Sequence, residues 1–335
     1  MIYADQPGRP GGTRKKLRII VPLLILLFLA ALGVFTLLIR ERRAPRAELP
    51  GALTGATSRP TFQRTLVSGI PRPLDVALGP DGKRVYVAEG AGAYAVAIFD
   101  ASGKPLTEAA PPHTTATDRQ PVSIAVAPDG TVYVVDRRLG QVLAFNADGT
   151  YRDVLRPAGL GHWAPLGLAV DDGGLVFVSE TVDTPQLVRH RVLVLKPDGT
   201  IVLAFGQKGD APGDLMFPGH LAVDGKGRIW VGDITGVKVF SSAGAFLFRL
   251  KAEGTDGVSL PGGLAYRNGR LYVTDVTNHR VLAFDVRGDT PIFLGEFGTL
   301  GFGRGELRYP AGIAVSASAI YIANRENGRI DIWTP

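Results

Sequence analysis

The stretch Pro261-Gly-Gly-Leu-Ala-Tyr-Arg-Asn-Gly-Arg-Leu-Tyr-Val-Thr-Asp-Val-Thr-Asn-His-Arg-Val-Leu-Ala-Phe284 reads as three short strands separated by two turns. A proline, two residues, an aliphatic and an alanine open it. Arg267-Asn268-Gly269 is a turn, because Asn-Gly accepts positive φ at little cost. Leu271 to Asp275 alternates around Tyr272, and Val281 to Phe284 supplies a further apolar run.

The same opening occurs at Pro73-Leu-Asp-Val-Ala77, Pro121-Val-Ser-Ile-Ala125, Pro165-Leu-Gly-Leu-Ala169, Pro218-Gly-His-Leu-Ala222 and Pro310-Ala-Gly-Ile-Ala314. Including Pro261, successive prolines lie 48, 44, 53, 43 and 49 residues apart. Periods in this range belong to repeat architectures. Each copy carries one aromatic at a fixed place in its second strand: Tyr86, Tyr133, Phe177, Trp230, Tyr272 and Tyr321. That strand closes on an acid or amide, Glu89, Asp136, Glu180, Asp233, Asp275 or Asn324. A third strand is anchored by Phe99, Phe145, Leu195, Phe240, Phe284 or Trp333, and a fourth follows, as in Ile201-Val-Leu-Ala-Phe205. Four strands in six units specify an all-β, six-bladed β-propeller in which the repeated aromatics pack between neighbouring sheets. On this reading Trp230 and Trp333 are core residues. The sixth copy stops at Pro335 after its third strand, so Thr61-Phe-Gln-Arg-Thr-Leu-Val-Ser68 is expected to supply the outer strand of the last blade.

Composition agrees with many turns between short strands. Hydrophobic residues make up 45% of the 335, with Gly 43 and Pro 24, which excludes a disordered chain and argues against an all-helical fold. Cys 0 removes disulfides, thiolate metal sites and cysteine nucleophiles together.

The net charge of +6 is unevenly placed. Arg9, Arg14, Lys15, Lys16, Arg18, Arg40, Arg42, Arg43 and Arg46 face only Asp5 and Glu41, while the rest of the chain has 28 bases and 29 acids. A nearly neutral body offers no footprint for nucleic acid. Residues 19–39, IIVPLLILLFLAALGVFTLLI, form an uncharged run whose length as a helix matches a bilayer core of about 30 Å. Arg40-Glu41-Arg42-Arg43 follows it instead of a small-residue cleavage site, so the segment reads as an uncleaved signal-anchor. The expected organisation is a basic segment 1–18, a transmembrane helix 19–39, a linker 40–59 and a propeller 60–335. Five bases precede the span and four follow closely, a slight bias toward a cytoplasmic N-terminus and an extracytoplasmic propeller on the cell membrane.

Tyr272-Val-Thr-Asp-Val-Thr-Asn-His-Arg-Val-Leu-Ala-Phe284 resembles an NHL repeat, and Tyr321-Ile-Ala-Asn-Arg-Glu-Asn-Gly-Arg-Ile-Asp-Ile-Trp333 resembles another. The connectors Phe205 to Pro218 and Phe297 to Pro310 share the family's glycine-spaced approach to the next blade. The resemblance implies a propeller used as an interaction surface, as the sensor head of a membrane receptor, or occasionally as a lyase. Gluconolactonase-type propellers place cation ligands just after the opening position, but here those positions are Leu74, Val122, Leu166, Gly219, Gly262 and Ala311. Peptide α-amidating lyases resemble a multi-histidine zinc site, and only His220 falls in a comparable place. The chain is therefore expected to use no metal or cofactor.

The acid or amide closing each second strand is repeated in every blade, which marks a structural duty: accepting loop N–H groups or pairing with a base such as Arg280 or Arg329. Blade-specific departures are better site candidates. The third position of the six openings holds Asp75, Ser123, Gly167, His220, Gly263 and Gly312, so polar groups are expected at the channel mouth from three blades. Asp75 and His220 are expected on opposite sides, too far apart to share a proton directly. His162 and Trp163 fall outside the repeat register, where they either line a pocket or cap a blade edge. His113 and His190 are expected in solvent, and His279 in loop packing. The first functional reading is a membrane-tethered scaffold binding a protein, peptide or glycan on its loop face. The second is a lyase or hydrolase working in the channel near Asp75 and His220.

Overall fold

The structure, a computed structural model, describes residues 59–252 and 257–335. The basic segment, the apolar run 19–39 and the linker up to residue 58 lie outside the described residues. Among the described residues no helix is long and apolar enough to cross a membrane.

Six four-stranded antiparallel sheets form the body. Blade 1 comprises Pro73–Leu78, Arg84–Glu89, Val96–Asp100 and Pro105–Ala109; blade 2, Pro121–Val126, Val132–Asp136, Gln141–Phe145 and Tyr151–Leu155. Blade 3 comprises Pro165–Val170, Val176–Thr184, Leu187–Leu195 and Ile201–Phe205; blade 4, Leu221–Val223, Ile229–Asp233, Gly236–Phe240 and Phe246–Arg249. Blade 5 comprises Pro261–Arg267, Arg270–Asp275, Arg280–Asp285 and Ile292–Phe297. Blade 6 takes Pro310–Val315, Ile320–Asn324 and Arg329–Trp333 from the end of the chain and Phe62–Ser68 from residues before blade 1. The expected closure is present: Phe62 pairs with Trp333 and Ser68 with Arg329, leaving no open seam between blades 6 and 1.

The core is a ring of interfaces, one between each pair of neighbouring blades. Tyr86 of blade 1 packs with Ile124, Val132 and Val134 of blade 2. Tyr133 meets Leu168, Val176 and Val178 of blade 3, and Phe177 meets Leu221, Ile229 and Val231 of blade 4. Trp230, Tyr272 and Tyr321 repeat the contact toward blades 5, 6 and 1. One aromatic per blade therefore fills each wedge, and burying such a ring contributes roughly 1.5–3 kcal/mol. Trp230 and Trp333 are both buried, as the repeat register requires. Trp230 also donates its indole N–H to Asp224, which is paired with the buried Arg228.

Blade 3 departs from the pattern. Its second and third strands run nine residues each and continue their pairing to Thr184 and Leu187, forming a long hairpin beyond the sheet. His190 lies on this hairpin and is fully buried, against the expectation of a solvent position. The extended pairing places its ring under Phe217, with centroids 4.7 Å apart, and its Nδ1 accepts the Phe217 N–H at 3.1 Å. His279 does the same for Tyr309, at 3.0 Å. Phe217 and Tyr309 precede the opening prolines of blades 4 and 6 and adopt left-handed φ of 52° and 50°. A non-glycine residue is strained there, and the histidine supports the turn by satisfying its N–H. Burial pushes the His190 pKa down, which keeps Nδ1 free to accept. His113 is exposed, as expected.

Candidate functional site

The inner strand of each blade runs beside the central axis, its outer edge paired and its inner edge facing the channel. Successive side chains of an inner strand alternate toward the preceding and the following blade. Asp75 and Ser123, expected at the channel mouth, are buried there instead of open to it, at 4% and 0% exposure. Asp75 Oδ2 accepts the N–H of Ile124 in blade 2 at 2.8 Å, and its Oδ1 accepts the N–H of Val76 at 2.9 Å. Ser123 Oγ in turn accepts the N–H of Leu168 in blade 3 at 3.1 Å. Each side chain is a bracket from one blade to the unpaired edge of the next.

In blades 3 and 5, where the third position is glycine, a neighbouring hydroxyl serves the same purpose. Ser179, paired in register with Gly167, donates to Gly219 O of blade 4 at 2.8 Å. Thr274 donates to Ala311 O of blade 6 at 2.6 Å. The glycines permit close approach: a Cβ on Gly167 would lie 2.1 Å from Gly219 O, and one on Gly312 would lie 2.5 Å from Asp75 Cα. The sequence signal for these brackets was present, since the residue just before the closing acid or amide of the second strand reads Ala88, Val135, Ser179, Thr274 and Ala323 in blades 1, 2, 3, 5 and 6. A hydroxyl there accompanies a glycine at Gly167 and Gly263, and is absent beside Asp75 and Ser123.

His220 is the exception in this ring. Its side chain is 22% exposed and makes no hydrogen bond among the described residues, but its Nδ1 lies 3.9 Å from Asp75 Oδ2. The hub is thus narrower than the sequence suggested, because the glycines of blades 3, 5 and 6 let the inner strands converge. The separation exceeds a hydrogen bond and is short enough for strong Coulombic coupling. Burial pushes the Asp75 pKa up, opposed by the charge of His220, the two N–H bonds and the Ser123 hydroxyl.

Below this ring the channel widens into a cavity of about 580 Å³ that opens at the end carrying the turns between first and second strands. Its walls are inner-strand backbone edges with Val76, Ile124 and Leu168, and Asp81, Arg267 and Ser316 stand at its mouth. None of the candidate site residues singled out in the sequence lines this space. Asp81 is occupied in its own turn, accepting the Lys83 N–H at 3.0 Å.

His162 and Trp163 line a second cavity of about 290 Å³ at the rim between blades 2 and 3. Leu139 borders it from the second-to-third-strand turn of blade 2, Gln141 from the start of the third strand, and Arg156 and Leu160 from the connector into blade 3. The Trp163 side chain rests against the core of the blade 2–3 interface. The His162 carbonyl accepts a hydrogen bond from Arg189, which is ion-paired with the buried Glu180 at 2.9 Å, so the long hairpin of blade 3 fixes the connector.

The repeated acids divide as their neighbours dictate. Asp136 accepts the N–H groups of Gln120, Arg138 and Leu139; Asp233 is paired with Lys238 and Asp275 with Arg280. Glu89 is different. It is buried beside a glycine-rich turn and, among the described residues, has no cation partner; the Ala93 N–H serves its carboxylate. Burial, reinforced by the nearby Glu108, pushes its pKa up to about 7. Among the described residues no three His, Asp or Glu side chains are grouped to hold a metal ion.

The NHL repeat family model matches residues 259–284, the stretch that set the repeat. Comparison with curated protein sequences gives no match. Among solved structures, the chain is similar to a virginiamycin B lyase from Staphylococcus aureus, with a TM-score of 0.58 and 15% identity over 83% of this chain and 100% of that one. It is similar to a streptogramin B lyase, with a TM-score of 0.56 and 14% identity over 82% and 97%. A hydrazine synthase of Kuenenia stuttgartiensis gives a TM-score of 0.54 and 14% identity over 85% and 99%. At these identities the likeness extends to the fold alone.

Proposed function

We propose that this chain is a membrane-tethered NHL-like propeller that binds a protein, peptide or glycan on its loop face, through the rim cavity of His162 and Trp163. One observation carries the reading. Asp75 and Ser123 are consumed by blade-to-blade hydrogen bonds, whereas His162 and Trp163 border an open space of about 290 Å³ held by rigid strands. A Trp face beside the polar groups of Gln141, Arg156 and His162 suits a ligand with both apolar and hydrogen-bonding surfaces, such as a sugar ring or an amino-acid side chain. Rigidity of the ring lowers the ordering entropy lost on binding. The apolar run 19–39 would place the protein on the cell membrane with its propeller outside the cytoplasm.

A second reading, a lyase or hydrolase at the hub, is favoured by the 3.9 Å approach of His220 to Asp75. Two of the similar structures are lyases, and what they act on belongs to them. Screening glycan and peptide arrays with the wild type and two variants separates the readings. Trp163→Ala is expected to weaken the signal by roughly tenfold or more, as for an aromatic anchor worth about 2 kcal/mol. His220→Ala is expected to leave it unchanged. Loss in His220→Ala with retention in Trp163→Ala would move the site to the hub.

A further inference from the structure

The connector between blades 5 and 6 carries the most exposed large apolar side chain of the described residues, Phe302 at 70%, with Leu300 at 60% close by. Both stand in a glycine-spaced loop, Gly298-Thr-Leu-Gly-Phe-Gly-Arg-Gly305, where they support no core. Arg308 lies 4.3 Å from the Phe302 ring centre, and Arg304 lies 5.7 Å from that of Phe62. Among the described residues neither arginine forms an ion pair, and the nearby Glu306 is taken up by the Gly303 N–H at 2.7 Å. The result is an apolar tip with two arginines at its base that have no ion-pair partner among the described residues.

The chain reaches the ring at the same edge. Phe62 begins the outer strand of blade 6, and Arg59 donates two hydrogen bonds to Glu296 O, directly before the connector starts. The stretch from Arg40 to Arg59 separates this edge from the apolar run ending at Ile39, and even fully extended it spans no more than about 70 Å. Four further arginines, Arg40, Arg42, Arg43 and Arg46, lie along it.

We infer that the Leu300–Phe302 tip and its flanking Arg304 and Arg308 form a docking edge for the surface of the lipid bilayer that holds the chain's own apolar segment, with anionic headgroups as counter-charges. The inference rests on the anchor reading given above. Phe and Leu insert at the boundary between headgroups and acyl chains, and arginine supplies the electrostatic attraction. Because the contact is intramolecular to the anchor, a weak patch suffices. In a six-fold ring the boundary of blades 5 and 6 is diametrically opposite that of blades 2 and 3. Resting on this edge turns the His162–Trp163 cavity away from the bilayer, toward whatever approaches from solution.

The chain has no cysteine, so a single spin label can be placed by Phe302→Cys, with Val188→Cys on the blade 3 hairpin as the far-side comparison. The full-length protein is reconstituted in nanodiscs of anionic lipid, and retention after alkaline carbonate is measured first on native-type vesicles. With the protein retained, the label at position 302 is expected to collide more with bilayer-dissolved oxygen than with an aqueous nickel chelate, and the label at 188 to show the reverse order. Neutral nanodiscs are expected to shift the label at 302 toward the aqueous value. Retention with both labels in water overturns the docking edge and leaves the anchor standing. Release by carbonate overturns the anchor, and the docking edge with it. A label at 302 shielded from both reagents, in detergent as in lipid, overturns the bilayer as occupant and indicates a protein contact.

Discussion

Deleting residues 60–69 is expected to lower the melting temperature by more than about 10 °C. The segment contributes the whole outer strand of blade 6, so its loss exposes the third strand from Arg329 to Trp333 along its length. Leu66 is buried in the interface between blades 6 and 1, and removing a buried leucine side chain alone costs about 2–5 kcal/mol. The Thr65 hydroxyl bond to Asp331, at 2.7 Å, and the T-shaped Phe62–Trp333 contact go with it. A combined loss above about 5 kcal/mol, at roughly 2–4 °C per kcal/mol, sets the expected shift. Calorimetry of the full chain and the deletion decides it; melting points within about 2 °C of each other would mean that the seam does not hold the ring.

The second large effect is pH-dependent and comes from Glu89. Its pKa stands near 4.5 in an ordinary setting and is pushed up to about 7 in the fold. Below pH 4.5 the carboxyl is protonated whether the chain is folded or not, so the folded state keeps its full stability there. As pH rises toward about 7 the unfolded chain sheds the proton first, and the fold loses stability through that window. Above pH 7 the loss is complete and amounts to about 3 kcal/mol. Glu89→Gln removes the titration while keeping the shape. The variant is expected to melt several degrees above the wild type at pH 8 and at the same temperature at pH 4.5. An unchanged difference across that range would show that Glu89 is not forced to ionise in a buried place.

The repeat was legible because it is written in residues that decide backbone geometry and packing. Proline-to-alanine openings, Asn-Gly and Asp-Gly turns and one aromatic per second strand each have a local physical meaning, and six copies fix blade number. The closing strand was legible from bookkeeping of strands alone. The candidate site was harder to read, since a residue's place in a repeat does not tell which way its side chain leaves an inner strand. Asp75 and Ser123 looked like open channel groups and are brackets between blades, because each accepts an N–H of the neighbouring inner strand and is buried in doing so. The approach of His220 to Asp75 depends on three glycines in other blades acting together, and no local pattern announces that. His190 was misread for a related reason: its burial follows from a hairpin lengthened in blade 3 only, over which Phe217 of another connector folds. His162 and Trp163 were visible as departures from the register, and the space beside them required the arrangement of two blades.

The arrangement of brackets also bears on how function is divided in the molecule. The hub gathers buried hydrogen bonds whose loss leaves unpaired N–H groups, each costing about 1–3 kcal/mol, so it is a poor place for groups that must exchange partners during a reaction. The rim has the opposite character, with side chains held on one side by core contacts and open on the other. The central claim is that this rim engages the ligand and the hub serves as frame. Hydrogen exchange of the full chain, with and without the ligand class found on the arrays, tests it directly. The account predicts slowed exchange in residues 137–141 and 156–163 and no change in 73–78 and 218–223; slowing confined to 73–78 and 218–223 would contradict it.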